Sequence, residues 1–134
     1  MPFATVNQIR VHYEIEGDAD APVLMLCNSL GTTLAMWAPQ MSSLLTQFRV
    51  LRYDVRGHGQ SDVPPGPYTI EQLGRDALAL LDHLQLPRVD FCGLSMGGMT
   101  GMWLGTHHPE RLRRLVLCNT AAQLGTPELW NGRL

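Results

Sequence analysis

Little in this chain marks a membrane, nucleic-acid-binding or disulfide-stapled protein. No apolar run approaches the roughly 20 residues that span a bilayer. The opening MPFATVNQIR has no basic stretch followed by an apolar one, as a secretory signal would. Ten Lys and Arg against twelve Asp and Glu leave a net charge of −2, and no basic cluster stands out. That excludes the electrostatic footprint of a nucleic-acid or anionic-membrane partner. Cysteine is scarce: Cys27, Cys92 and Cys118 are odd in number and lack metal-ligand spacing. Each closes an apolar run, so they read as small buried residues rather than as disulfide partners or ligands. A cytoplasmic protein without metal or other cofactor is the expectation. What is present, 134 residues of which 45% are hydrophobic and 16% charged, suits one globular domain over residues 1–134.

Along the chain, strand-like and helix-like segments alternate. FATV and IRVHYEIEG alternate apolar and polar residues, as a half-exposed hairpin turning at Asn7-Gln8 would. APVLMLCN is a continuous apolar run, the mark of a strand buried on both faces. Leu34, Trp37, Met41, Leu44, Leu45 and Phe48 then fall at helical spacing, with Pro39 early enough to be tolerated. RVLRYD is a strand, followed by a Gly/Pro-rich loop from Val55 to Pro67. Thr69 with Gln72 opens a helix that Pro87 ends. RVDFCG is a strand, MGGMTGMWLGTHH a helix and RLRRLVLCN a last strand. This order predicts an α/β fold: a mostly parallel sheet of about six strands with helices on both faces.

Function in such sheets collects at the carboxyl ends of the strands. Three segments lie there: NSLG at 28–31, DVRGHGQS at 54–61 and GLSMGG at 93–98. G-x-S-x-G between a strand and a helix reads as a nucleophile elbow, whose turn is tight enough to require small neighbours. Gly93, Gly97 and Gly98 meet that need, and Ser95 is the candidate nucleophile. The following N–H, on Met96, points where an oxyanion would form, at a helix N-terminus. NSLG follows the third strand, where the second oxyanion donor of this kind of site sits, and Leu30 is assigned to it. In DVRGHGQSD the glycines allow tight turns and Arg56 with Asp54 can tie the loop. His58 reads as exposed and as a poor base. Trp37 and Trp103 read as core, and Gly101 and Gly105 let their helix approach the sheet. Neither G-x-G-x-x-G in the first strand–helix turn nor a phosphate-binding G-x-x-x-x-G-K-S/T occurs.

On these motifs the chain resembles the N-terminal part of the α/β-hydrolases, and within them the 3-oxoadipate enol-lactonases. The resemblance runs through LCNSLGTTLAMW, FRVLRYDVRGHGQSD, GPYTIEQLGRDALALLD, FCGLSMGGMTGMWLG, RLRRLVLCNTAA and LWNGRL. Many relatives have His-Gly where this chain has Asn28-Ser29. The resemblance implies a small-molecule ester or lactone, opened through an acyl-serine on Ser95 with the Leu30 and Met96 amides as oxyanion hole. It also implies a partial α/β-hydrolase fold, lacking the C-terminal strands and the cap. Residues 120–134 become the start of a cap or an exchanged tail, in which Trp130 and Arg133 reach the substrate side and Arg133 can meet a carboxylate.

The family places an acid and then a histidine after the serine, and this chain has no counterpart. Asn119 is a poor stand-in, since an amide cannot stabilise an imidazolium as a carboxylate does. His12 lies on the hairpin, away from the elbow, and His83 near a solvated helix end. His107 and His108 lie about 17–20 Å from Ser95 at ~1.5 Å per helical residue. Two functions stay open: a serine hydrolase of an ester or lactone, or a weakly active or non-catalytic half-fold that self-assembles. A homodimer through the last strand and the 120–134 tail is expected, because Leu115, Val116, Leu117 and Cys118 would otherwise form an unprotected apolar edge.

Overall fold

The structure, a computed structural model, describes residues 2–123. Its strands are β1 (Phe3–Val6), β2 (Ile9–Glu16), β3 (Val23–Cys27), β4 (Arg49–Tyr53), β5 (Val89–Leu94) and β6 (Leu112–Cys118). They form one sheet in the order β1-β2-β4-β3-β5-β6. β1 and β2 pair antiparallel around Asn7 and Gln8, whose φ angles of 47° and 66° suit a tight hairpin. β2 also runs antiparallel to β4, while β4, β3, β5 and β6 are mutually parallel. The partial, mostly parallel α/β fold read from the sequence is present.

Two helices cover one face and one covers the other. α2 (Ile70–His83) and α3 (Met96–His107) bury Leu73, Ala77, Leu80, Leu81 and Leu104 against Met25, Leu51, Val89 and Phe91. α1 (Ala38–Leu44) contributes Met41 to a smaller cluster with Leu24, Leu26, Trp37 and Val50. β3 therefore alternates its apolar side chains between two cores, which explains its unbroken apolar run. Each such side chain contributes about 1.5–3 kcal/mol on full burial.

The segment expected as one helix over 34–48 is a 3₁₀ turn (Leu34–Trp37) followed by the short α1. Hydrogen bonds, the main one from outside the segment, override the spacing. The Asp54 carboxylate takes the Leu34 N–H at 2.8 Å, Thr33 caps the Ala35 N–H, and Pro39 restarts the chain as a helix. The Thr69 capping box forms as expected, with hydrogen bonds of 3.1 and 3.0 Å between Thr69 and Gln72. Trp103 is half-buried rather than fully core, with Arg75 over its ring and Gly74 beneath it. Of the cysteines only Cys27 is buried; Cys92 and Cys118 are half-buried, with sulfurs 3.9 Å apart.

The chain moves outward from β3 to β4, then crosses back to β5 on the other side of β3. This reversal opens a crevice above the carboxyl ends of β3 and β5, the place where open α/β sheets bind ligands.

Candidate active site

Ser95 sits at that crevice, between β5 and α3. Its φ of 54° and ψ of −111° lie in a sparsely populated region for a side chain with a Cβ. Such strain costs on the order of 1–3 kcal/mol and persists only where neighbours impose it. Three hydrogen bonds do so: Ser95 N–H to the Cys118 carbonyl (2.9 Å), and Met99 N–H (3.0 Å) and the Thr120 hydroxyl (2.7 Å) to the Ser95 carbonyl. The glycines are forced by contact. A Cβ on Gly93 would fall 2.1 Å from the Gly97 carbonyl oxygen, one on Gly97 2.1 Å from that of Cys27, and one on Gly98 2.5 Å from Thr120 Cγ2. Sequence pattern explains the glycines but not Thr120, which reaches the elbow only because β6 pairs with β5 and Asn119 turns at φ 46°.

The Gly97 contact sets the 28–31 segment directly against the start of α3. Asn28 is buried; its amide donates to the Tyr53 carbonyl (2.7 Å) and its oxygen accepts from Trp37 Nε1 (2.7 Å). Both halves of the amide are thus satisfied, a bridge that explains an asparagine there. The Ser29 N–H faces the Met36 sulfur (3.5 Å), the Gly31 N–H donates to His58 Nε2 (2.9 Å) and the Thr32 N–H to the Ser29 carbonyl (3.3 Å). Between Ser29 and Thr32, Leu30 alone has an N–H with no acceptor among the described residues. The Met96 N–H, first in α3, likewise has none among them. The residue types assigned as oxyanion donors are in this way uncommitted and on adjoining segments. Leu30 itself is 56% exposed.

The 54–62 loop is built differently from expectation. Arg56 does not tie to Asp54; its guanidinium forks onto Asp76 of α2, Nε to Oδ2 at 2.8 Å and Nη2 to Oδ1 at 3.0 Å. Asp54 is instead the hub of the loop base, where it meets His12 Nδ1 (2.9 Å), the Leu34 N–H and the Gln60 N–H (2.9 Å). A Cβ on Gly59 would strike that carboxylate at 2.3 Å, and Gly59 also has φ 53°. His58 is not exposed as expected. It is half-buried, with Nε2 accepting from Gly31 and Nδ1 3.1 Å from the Arg56 carbonyl.

No histidine hydrogen-bonds Ser95. His12 is buried against Asp54, His83 is exposed, His107 stacks on Trp103 and His108 faces Glu110 at 3.4 Å. Cys27 and Cys92 are poor nucleophiles: burial pushes the Cys27 thiol up to about 11, and burial with the neighbouring Cys118 pushes Cys92 up to about 12. Among the described residues no three His, Cys, Asp or Glu side chains converge as a metal site. No helix among them is long and apolar enough to cross a membrane. Trp130 and Arg133 lie outside the described residues.

Comparison with known proteins gives one consistent answer. The family model for the alpha/beta hydrolase fold matches residues 22–132. A 3-oxoadipate enol-lactonase 2 of Acinetobacter baylyi is 49% identical over 129 residues, which cover 96% of this chain and 48% of that protein. The crystal structure of an enol-lactonase from Burkholderia xenovorans superposes with a TM-score of 0.96 at 56% identity, over 98% of this chain and 52% of that one. A hydrolase from Pseudomonas aeruginosa gives 0.95 at 51% identity, over 98% and 50%. The chain spans about half the length of the relatives it matches. With a strained serine at a glycine elbow on this sheet, and a match across most of its length, the chain belongs to the α/β-hydrolase fold family.

Proposed function

We propose that this protein takes part in hydrolysis of a carboxylic ester or lactone, of the 3-oxoadipate enol-lactone type, through an acyl-enzyme on Ser95. The observation that carries the reading is the backbone of Ser95, held at φ 54° between β5 and the start of α3. Strain of this kind has no packing benefit of its own and lifts the hydroxyl above the sheet. In the proposed reaction Ser95 Oγ attacks the carbonyl carbon and its proton passes to a base. The carbonyl oxygen becomes an oxyanion held by the Leu30 and Met96 N–H groups. Collapse breaks the C–O bond of the ester or ring as the leaving oxygen takes the proton from the base; water, deprotonated by the same base, then cleaves the acyl-serine and Ser95 Oγ regains its proton. Arg133 and Trp130 are proposed to contact the substrate, Arg133 through a carboxylate.

The base is the part that the described residues do not supply, since no histidine hydrogen-bonds Ser95. We propose that it comes from chain paired along β6, whose Leu115, Val116 and Leu117 are 36%, 51% and 41% exposed. β6 is the parallel end of the sheet among the described residues, and two copies meeting there as a homodimer would bury it. The second reading, a weakly active or non-catalytic half-fold that self-assembles, is favoured by the absence of a histidine hydrogen-bonded to Ser95 among the described residues. The three free thiols suit the cytoplasmic setting proposed for either.

Turnover separates the two readings. The chain, alone and at a concentration where it associates, is assayed on an activated ester and on an enol-lactone beside Ser95→Ala. An oxyanion hole without its base still leaves on the order of 10³–10⁴-fold over water. Activity above that scale that falls to it, or below it, in Ser95→Ala supports the hydrolase. Activity retained in full by Ser95→Ala would falsify it, and none in either protein leaves the structural unit.

A further inference from the structure

The Gly31 N–H···Nε2 bond of His58 has no place in the chemistry above, yet it touches the segment that carries one oxyanion donor. Gly31 directly follows Leu30, and its φ of 76° makes the peptide between them part of a tight left-handed bend. Nothing packs within 4 Å of where a Gly31 side chain would be, and Leu30 is largely exposed, so side-chain packing does not hold this bend. Hydrogen bonds hold it: Thr32 to the Ser29 carbonyl on one side, and His58 on the other. The His58 ring is itself fixed at its far nitrogen, Nδ1, by the Arg56 carbonyl at 3.1 Å. Only one tautomer satisfies both contacts. Nδ1 carries the proton and donates to Arg56, and Nε2 is bare and accepts from Gly31.

We infer that His58 is a positioning residue for the Leu30 N–H, holding the 28–31 bend through Gly31 only while its ring is neutral. A second proton must go onto Nε2, where it would face the Gly31 N–H donor to donor, so the bend loses its anchor when the ring is charged. The charged groups on the same loop are all committed elsewhere: Asp54 to His12 and two backbone N–H groups, Arg56 to Asp76, and Asp62 to the Arg10 N–H. The facing segment, Asn28 to Thr33, contains no titratable residue. Among the described residues His58 is therefore the titratable side chain at this contact. The inference rests on Leu30 as an oxyanion donor, and its test reads the bend separately from the chemistry.

The backbone amide signals of Leu30 and Gly31 in the ¹⁵N-labelled full chain are followed by NMR from about pH 5 to about pH 8, in wild type and in His58→Gln. Glutamine places a non-titrating acceptor near the position of Nε2. Both amides are expected to shift with one ionisation in wild type and to stay still in His58→Gln. Flat wild-type signals, or the same ionisation in His58→Gln, would overturn the coupling. In parallel, the rate at which a fluorophosphonate labels Ser95 is measured at about pH 8, on the basic side of that range. His58→Leu should slow labelling about three- to tenfold, the scale of one partly exposed hydrogen bond, and His58→Gln should recover most of the loss. Wild-type labelling should also show one acid-side ionisation that His58→Gln lacks. Equal rates in wild type and a folded His58→Leu would overturn the positioning role. Titrating amides with no labelling of Ser95 in any variant would instead support the coupling and remove the nucleophile reading.

Discussion

At the scale of single residues, the elbow works by subtraction. Gly93, Gly97 and Gly98 each stand where a methyl group would overlap backbone or Thr120, and Ser95 keeps its side chain at the cost of a strained backbone. Those four residues were legible in the sequence because the constraint is local and steric. Thr120 and His58 were not, since each acts through a contact that only the assembled sheet creates, 25 and 27 residues away in the chain. The Asp54–Arg56 pair was misread for the same reason: Asp76 on α2 and His12 on β2 are better placed once the strands pair. A direct test of the proposed oxyanion donors follows from helix chemistry. Met96 is the first residue of α3, a position where proline is ordinarily tolerated. Met96→Pro should lose about 3 kcal/mol of transition-state stabilisation with its N–H, while Met96→Leu keeps most activity; because proline also restricts the backbone of Ser95 before it, the fold of the proline variant is checked by circular dichroism. A folded, fully active proline variant would refute the assignment of Met96. The thiols give a pH test. With Cys27 pushed up to about 11 and Cys92 to about 12, both stay protonated at about pH 8, so the reactive thiolate is scarce in the native chain. Iodoacetamide at that pH should spare both in native protein and modify both after denaturation, by peptide mass spectrometry. Native alkylation of Cys27 at the unfolded rate would show that its site is not closed.

At the scale of elements, periodicity and capping signals succeeded where the segment is autonomous. α2 has a capping box at Thr69 and an apolar face of Leu73, Ala77, Leu80 and Leu81, so its existence and start were readable. Its last expected turn is absent because Gln85 adopts φ 56° and the Leu86 N–H bonds back to the Leu81 carbonyl. Residues 34–48 show the opposite case. Their apolar spacing is helical, but Asp54 and Asn28 hold Leu34 and Trp37 from outside the segment and split it. Such pulls are tertiary, and no local pattern carries them. Thr69→Ala removes the side-chain acceptor for the Gln72 N–H and should lower stability by about 1 kcal/mol in urea unfolding. An unchanged midpoint would mean that α2 is held by its packing alone. α3 shows why Gly101 and Gly105 were correctly read as close-approach residues. Cβ atoms there would lie about 3 Å from Leu115 and Leu117 of β6, so the helix and the last strand are already in contact.

At the scale of the whole molecule, strand order was the least readable feature. The alternation of strands and helices implied a mostly parallel sheet, but the order β1-β2-β4-β3-β5-β6 depends on pairings between segments up to 66 residues apart in the chain, such as Leu24 with Asp90. Resemblance to a family, not periodicity, pointed to it. That order puts the switch point beside Ser95 and leaves β6 at the end of the sheet among the described residues. Val116 is 51% exposed, so lysine there costs a monomer little. If association uses this edge, Val116→Lys should halve the mass seen by light scattering at micromolar concentration, whereas a wild-type monomer would refute the homodimer. The hydrolase reading rests on one oxygen atom, Ser95 Oγ, whose nucleophilicity a covalent probe reads out. The chain is treated with a fluorophosphonate and then mapped by peptide mass spectrometry, with Ser95→Ala alongside. Stoichiometric modification confined to the peptide bearing Ser95, and absent from Ser95→Ala, is the predicted result. A folded wild-type chain that stays unmodified, or a label that persists in Ser95→Ala, would contradict it.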